Sequence, residues 1–148
     1  MVEFDVQLSK DKIPVIYHDF EICTTSVSKD GQKRELITTQ LKNLTLAQLR
    51  GLKIHHTSAI ANGVKEFSEE SSEDQAFPTL EEALKLIDQN CGFNIELKWD
   101  MMLKDGSNEC HTPFEINLFL NKVLETVLKH GLRRKIVFSS FNPDVCTM

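Results

Sequence analysis

No apolar run in this 148-residue chain approaches the roughly 20 residues needed to cross a bilayer. The opening stretch, MVEFDVQLSKDK, carries two acids where a secretory leader would be basic and then apolar. No membrane span is expected, and the cytoplasm is the expected compartment. An excess of basic residues is also lacking. Lys plus Arg number 17 against 22 Asp plus Glu, a net charge of -5, so no electrostatic footprint for nucleic acid exists. The four cysteines, Cys23, Cys91, Cys110 and Cys146, lie far apart with no C-x-x-C spacing. That excludes a recognisable zinc site or disulfide framework and fits free thiols in a reducing compartment.

What is present alternates. VEFDVQ (2–7) is apolar and polar with period two, the pattern of a strand, and FNIELKW (93–99) repeats it. KIVFSSF (135–141) reads as a buried strand, followed by Asn142, Pro143 and Asp144, which open a helix. Helices are predicted over 45–52, with Thr45 as N-cap and Gly51 near the end, and from Leu80, where Thr79 and Glu82 form a capping box. A third is predicted from about Phe114 to His130, stopped by Gly131. Strand, helix, strand, helix, strand is the order of a parallel α/β arrangement. Residues 57–77, with the acidic run Glu69, Glu70, Glu73 and Asp74, read as a polar loop insertion, and 100–113 as a mixed connection. Both ends cut through predicted elements, which makes 1–148 look like part of a larger domain.

The chemistry is concentrated on the strands. In VEFDVQ, Val2, Phe4 and Val6 share one face and Glu3, Asp5 and Gln7 the other, placing two carboxylates on the same side with Cα atoms roughly 6.6 Å apart. The segment IPVIYHD (13–19) follows after only Ser9 to Lys12, too few residues for a helical crossover and suited to an antiparallel hairpin. A symmetric loop would set Glu3 opposite His18 and Asp5 opposite Ile16. Glu96 and Lys98 project from one face of FNIELKW. A mutual or cross-strand ion pair is the plain explanation of any one of these residues. If the two strands share a sheet, however, Glu3, Asp5 and Glu96 converge, and three carboxylates without three cations repel. A divalent cation resolves that repulsion, and an all-oxygen donor set favours Mg²⁺ or Ca²⁺. His18 could then move protons and Lys98 hold an anion, a combination suited to hydrolysis of a phosphate ester.

The series MVEFDVQLSKDKIPVIYHD, FNIELKW and IVFSSFNPD resembles the glycerophosphodiester phosphodiesterase family, in the right order over nearly the whole chain, and most of all its animal branch acting on glycerophosphocholine. The resemblance implies a TIM-type (β/α)8 barrel, present here as a fragment of about the second to fifth strands. It implies a hydrolase of glycerophospholipid metabolism that yields glycerol 3-phosphate and a free alcohol, choline in that branch. Glu3, Asp5 and Glu96 match the family's metal ligands, His18 one of its two acid/base histidines, and Lys98 a phosphate-contacting lysine. The family's opening His-Arg-Gly strand and following Glu-Asn have no counterpart in this chain, nor do the later strands of a barrel that typically needs about 250 residues. The expected partner is a small glycerophosphodiester. The animal relatives also carry a carbohydrate-binding module before the catalytic domain. The competing expectation is a truncated, non-catalytic polypeptide acting, if at all, as a binding module; by itself the 148-residue chain is expected to be inactive.

Other polar residues read as ordinary. His55 and His56 are loop histidines, Ser139 and Ser140 lack a G-x-S-x-G context, and Cys110–His111 has no second ligand pair. Trp99 and Tyr17 read as packing residues, Tyr17 on the face of Phe4.

Overall fold

The computed structural model describes residues 1–27, 34–55 and 77–147. At its centre lies strand β1 (Val2–Leu8), paired antiparallel with β2 (Pro14–Ile16) and parallel with β6 (Phe93–Leu97), which pairs parallel with β7 (Ile136–Ser139), giving the order β2-β1-β6-β7. A second sheet, ordered β4-β3-β5, is built from β3 (Glu21–Val27), β4 (Arg34–Gln40) and β5 (Ile54–His55), all antiparallel. The sequences of β3 and β4 carry no clear apolar alternation that would announce this pairing. The predicted loop at 57–77 lies outside the described residues except for Phe77, which is buried with its ring 4.9 Å from that of Tyr17.

The first two helices start where their caps predict, and the third starts two residues beyond the expected Phe114. Helix α1 (Leu46–Arg50) opens on a capping box between Thr45 and Gln48, and α2 (Leu80–Leu86) on one between Thr79 and Glu82. Helix α3 (Ile116–His130) begins at the carboxylate of Glu115, which accepts from the amides of Asn117 and Leu118. Its stop at Gly131 does not use a left-handed turn, since φ there is -69°. Glycine is needed because a Cβ would lie 2.6 Å from the Val127 carbonyl oxygen; the left-handed residue is the next one, Leu132. Helix α4 (Pro143–Thr147) follows Asn142, whose side-chain oxygen accepts from the Asp144 amide.

Helices α2 and α3 lie in the β1-to-β6 and β6-to-β7 connections and supply Leu80, Leu84, Phe119 and Val123 to a core with Val6, Leu8, Phe93, Ile95 and Leu97 of the sheet. Each such buried side chain contributes about 1.5–3 kcal/mol. A separate core gathers Val15, Ile22, Leu41, Leu49 and Phe77 beneath the small sheet. The two regions meet along β2, whose outer side donates the Ile16 amide to the Pro78 carbonyl. At the opposite end of the parallel strands the buried guanidinium of Arg134 donates to the carbonyls of Leu84, Ile87, Asp88 and Cys91, and stacks 3.9 Å from the Phe93 ring centroid.

Three expectations are corrected. The hairpin register is one residue longer than a symmetric four-residue loop gives: Val6 faces Ile16 and Gln7 faces Val15. Ser9 closes the turn through its amide to the Ile13 carbonyl, its hydroxyl accepts from the Ile13 amide, and Lys12 takes the left-handed region at φ 63°. Because strand side chains alternate, that single residue also moves Tyr17 off the face of Phe4 and into the second core. Finally, β7 is an edge rather than a buried strand. Val137 and Phe138 remain partly exposed because no further strand pairs with it among the described residues.

Candidate active site

The parallel pairing of β1 with β6 decides the site. Its register sets Asp5 directly beside Glu96 and Glu3 beside Asn94, so the two polar faces read from the sequence become one face. Glu3, Asp5 and Glu96 each offer a carboxylate oxygen within 4.8 Å of the others. The Lys98 ammonium lies 4.0 Å from Asp5 Oδ1 and 4.0 Å from Glu96 Oε1. The side chains of Asp5, Glu96 and Lys98 are 11%, 13% and 13% exposed, so their charges are poorly screened, whereas Glu3 is open to solvent.

One ammonium for three carboxylates leaves the cluster under-compensated. Burial pushes the Glu96 carboxyl above its usual range; the neighbouring Asp5 charge pushes it the same way, and Lys98 only partly opposes them. Asp5 Oδ1 is buried with no hydrogen-bond partner, since the Lys98 contact is too long to be one. An orphaned carboxylate oxygen among all-oxygen donors fits a hard divalent cation, which would supply the missing positive charge. The plain alternative, an ion pair with Lys98, reaches this oxygen only at 4.0 Å and leaves it without a hydrogen bond.

His18 stands apart from this cluster. It lies beyond the end of β2, its side chain is 71% exposed, and its Nδ1 is 2.7 Å from the carboxylate of Asp19. The segment that carries it is fixed by a residue to which sequence reading gave no role. The side-chain amide of Gln7 reaches the carbonyls of Tyr17, His18 and Asp19 at 2.8, 3.1 and 3.0 Å. The signal was available, because Gln7 continues the Glu3, Asp5 face between the apolar Val6 and Leu8, and a buried amide must find partners.

The loop after β6 is fastened as well. The Ser140 hydroxyl donates to the Leu97 carbonyl at 2.9 Å and the Asn142 amide to the Asp100 carbonyl at 2.7 Å, bracketing Lys98. Ser140 therefore has a structural bond and Ser139 another, to Asn94 at 3.0 Å. Among the described residues, the Glu3, Asp5 and Glu96 cluster is the one group arranged to hold a metal; Cys110 and His111 are not part of any. No described helix is long and apolar enough to cross a membrane.

The family model for glycerophosphoryl diester phosphodiesterases matches residues 1–148. Glycerophosphocholine phosphodiesterase of Homo sapiens is 44% identical over 155 residues, covering 99% of this chain and 23% of the relative. A glycerophosphodiester phosphodiesterase of Arabidopsis thaliana is 30% identical over 148 residues, covering 99% of this chain and 38% of the relative. The chain thus spans about a quarter to two fifths of these relatives. Among solved structures, glycerophosphoryl diester phosphodiesterases from Silicibacter pomeroyi and Thermotoga maritima superpose with TM-scores of 0.65 and 0.53 at 21% and 22% identity. They cover 98% and 97% of this chain, which in turn covers 48% and 42% of theirs. The parallel β1-β6-β7 wall with its crossover helices is accordingly a section of their TIM-type barrel, and the chain belongs to the glycerophosphoryl diester phosphodiesterase family.

Proposed function

We propose that this chain carries part of the active site of a cytoplasmic, divalent-metal-dependent hydrolase that converts glycerophosphocholine to glycerol 3-phosphate and choline. The observation that carries the reading is the under-compensated carboxylate cluster on neighbouring parallel strands, with Asp5 Oδ1 buried and unpartnered. Family membership and the 44% identity to a glycerophosphocholine phosphodiesterase support the substrate class. Glu3, Asp5 and Glu96 would hold Mg²⁺ or Ca²⁺, which when bound neutralises phosphate oxygens and stabilises the charge that develops on them. Lys98, at the rim of the same cluster, holds the remaining anionic oxygen.

Hydrolysis requires one proton to leave the attacking water and one to reach the departing alcohol oxygen as its bond to phosphorus breaks. His18 serves one of these transfers. Asp19 at Nδ1 orients the ring, leaving Nε2 for exchange, and Gln7 fixes the backbone that carries both. The second histidine that the family resemblance calls for has no assigned counterpart among these residues, so the 148-residue chain alone is expected to be inactive.

The test is choline release from glycerophosphocholine by the 148-residue chain beside a protein extended to the length of its relatives, each with chelator and with Mg²⁺ or Ca²⁺ restored. Metal-dependent release by the extended protein is expected. His18→Ala in that protein should lower turnover by about 10² to 10⁴-fold with divalent affinity kept. Release that persists undiminished in chelator would overturn the metal assignment, and equal loss of metal binding in His18→Ala would make the histidine a ligand.

A further inference from the structure

Strand β6 carries a polar side chain with only one of its two ends engaged. Asn94 shares the face of Glu96 and Lys98, two residues before Glu96, and its register partner across the parallel ladder is Glu3. On the other side of β6, the Ser139 hydroxyl of β7 donates to Asn94 Oδ1 at 3.0 Å. Because β6 stands between β1 and β7, a carboxamide held by its oxygen on the β7 side turns its NH2 group toward β1, where Glu3 is the adjacent residue. The reverse orientation would set a carbonyl oxygen against the Glu3 carboxylate, two acceptors facing each other. Among the described residues the Asn94 nitrogen has no acceptor and Glu3 has no hydrogen-bond donor.

Glu3 is also the least restrained member of the cluster. Asp5 and Glu96 are largely buried beside Lys98, whereas Glu3 is open to solvent. To act as a ligand it must hold one carboxylate oxygen toward Asp5 and Glu96, and ordering an exposed glutamate costs side-chain entropy. An amide already aimed from the far side by Ser139 can take the other oxygen. Being neutral, it orients the carboxylate without cancelling the charge that attracts a cation, as a lysine would. We infer that Asn94 is a positioning residue, whose amide, itself aimed by Ser139, turns the Glu3 carboxylate onto the divalent cation. The inference rests on the metal-site reading above. A polar pair that merely joins β6 to β7 would need the Ser139 bond alone and would have no bearing on the cation.

The experiment separates these roles. Mg²⁺ and Ca²⁺ are titrated calorimetrically into the protein extended to the length of its relatives and into its Asn94→Leu, Ser139→Ala and Ser139→Thr variants. Thermal melts of the metal-free proteins and hydrolysis of glycerophosphocholine against cation concentration are followed in parallel. Asn94→Leu, which keeps the bulk and removes the amide, should weaken divalent binding about 10- to 100-fold. Ser139→Ala, which releases the amide but leaves it in place, should weaken it less, about 3- to 10-fold, and Ser139→Thr, which keeps the hydroxyl, should restore it. The cation concentration for half-maximal hydrolysis should rise by the same factors. Unchanged affinity in both Asn94→Leu and Ser139→Ala, with only a lower melting temperature, would overturn the proposal and leave a strand-joining pair. Cation binding that weakens as expected, with no hydrolysis by any of the proteins, would sink the hydrolase reading and leave the positioning role standing. An unaltered protein that binds neither cation would remove the metal site and this role with it. Ser139 lies half-buried on an edge strand and its truncation removes a single oxygen, so that arm decides the matter should Asn94→Leu fail to fold.

Discussion

The parallel wall and the small antiparallel sheet divide the labour of this molecule unequally. Both are sheets with a private apolar core, yet every carboxylate of the candidate metal cluster comes from the wall. In β1 and β6 one face packs on helices and the other faces the interior of the barrel section, so a polar residue there has few neighbours except another strand's polar residue. Alternation on two parallel neighbours in register converts a one-dimensional pattern into a cluster of charge. The small sheet contributes none of these carboxylates. It supplies a support, with Val15, Ile22, Leu41, Leu49 and Phe77 packed beneath it.

The most severe way to probe this division is to change the wall. Asp5→Asn or Glu96→Gln in the extended protein removes ligand charge with little change of shape. Either should cost several kcal/mol of transition-state stabilisation, about 10³-fold or more in turnover, and abolish calorimetric binding of Mg²⁺ or Ca²⁺. The metal-free variants should melt at or above the temperature of the unaltered protein, because a repelling carboxylate has gone from beside its partner. A lower melting temperature would mean that the charge is structural.

A smaller effect is expected from the other region. Leu49→Ala in the second core should destabilise by about 2–5 kcal/mol, seen as a lower denaturation midpoint, while divalent binding by the folded population stays unchanged. If metal affinity fell with stability, the two regions would have to be treated as one unit. The smallest effect concerns an ion pair between them. Arg50 of α1 pairs with Glu82 of α2 at 2.6 Å, partly exposed. The Thr79 amide, above all, holds the Glu82 carboxyl below its usual range, and Arg50 adds to this. A lowered folded value stabilises above the ordinary glutamate value and is lost as pH falls through the folded one. Glu82→Gln should therefore cost under about 1 kcal/mol at neutral pH and flatten the acid side of a thermal-melt series below the ordinary glutamate value.

The wall was legible in the sequence because its signals are local and reinforce one another. Thr79 with Glu82 marks a helix start, and Phe93, Ile95 and Leu97 mark a buried face, each within a few residues. The convergence of Glu3, Asp5 and Glu96 needed only one further condition, that the strands be neighbours. What failed depended on one residue of loop. Whether Ile13 belongs to the turn or to the strand rests on the Ser9 hydroxyl and the left-handed Lys12, and neither alters the alternation of IPVIYHD. The segment EICTTSV to RELITTQ, rich in threonine and without a clear apolar face, offered period two too weakly to be read as a hairpin. The edge character of β7 follows from what lies next to it, which its own residues do not record.

Arg134 closes the C-terminal end of α2 in place of the usual glycine, and it stands 47 residues beyond Ile87, one of the carbonyls it holds. On a ribosome, α2 can therefore begin at its capping box as soon as Glu82 emerges, and Gln89 can bond the Leu84 carbonyl soon after, but the carbonyls of Ile87, Asp88 and Cys91 receive the guanidinium only once Arg134 has been made. Strand β6 will by then have been synthesised, and its Phe93 provides the ring on which the guanidinium stacks. The β–α–β unit is thus assembled from its front and sealed from behind. A single late side chain ties the end of the first crossover to the end of the second.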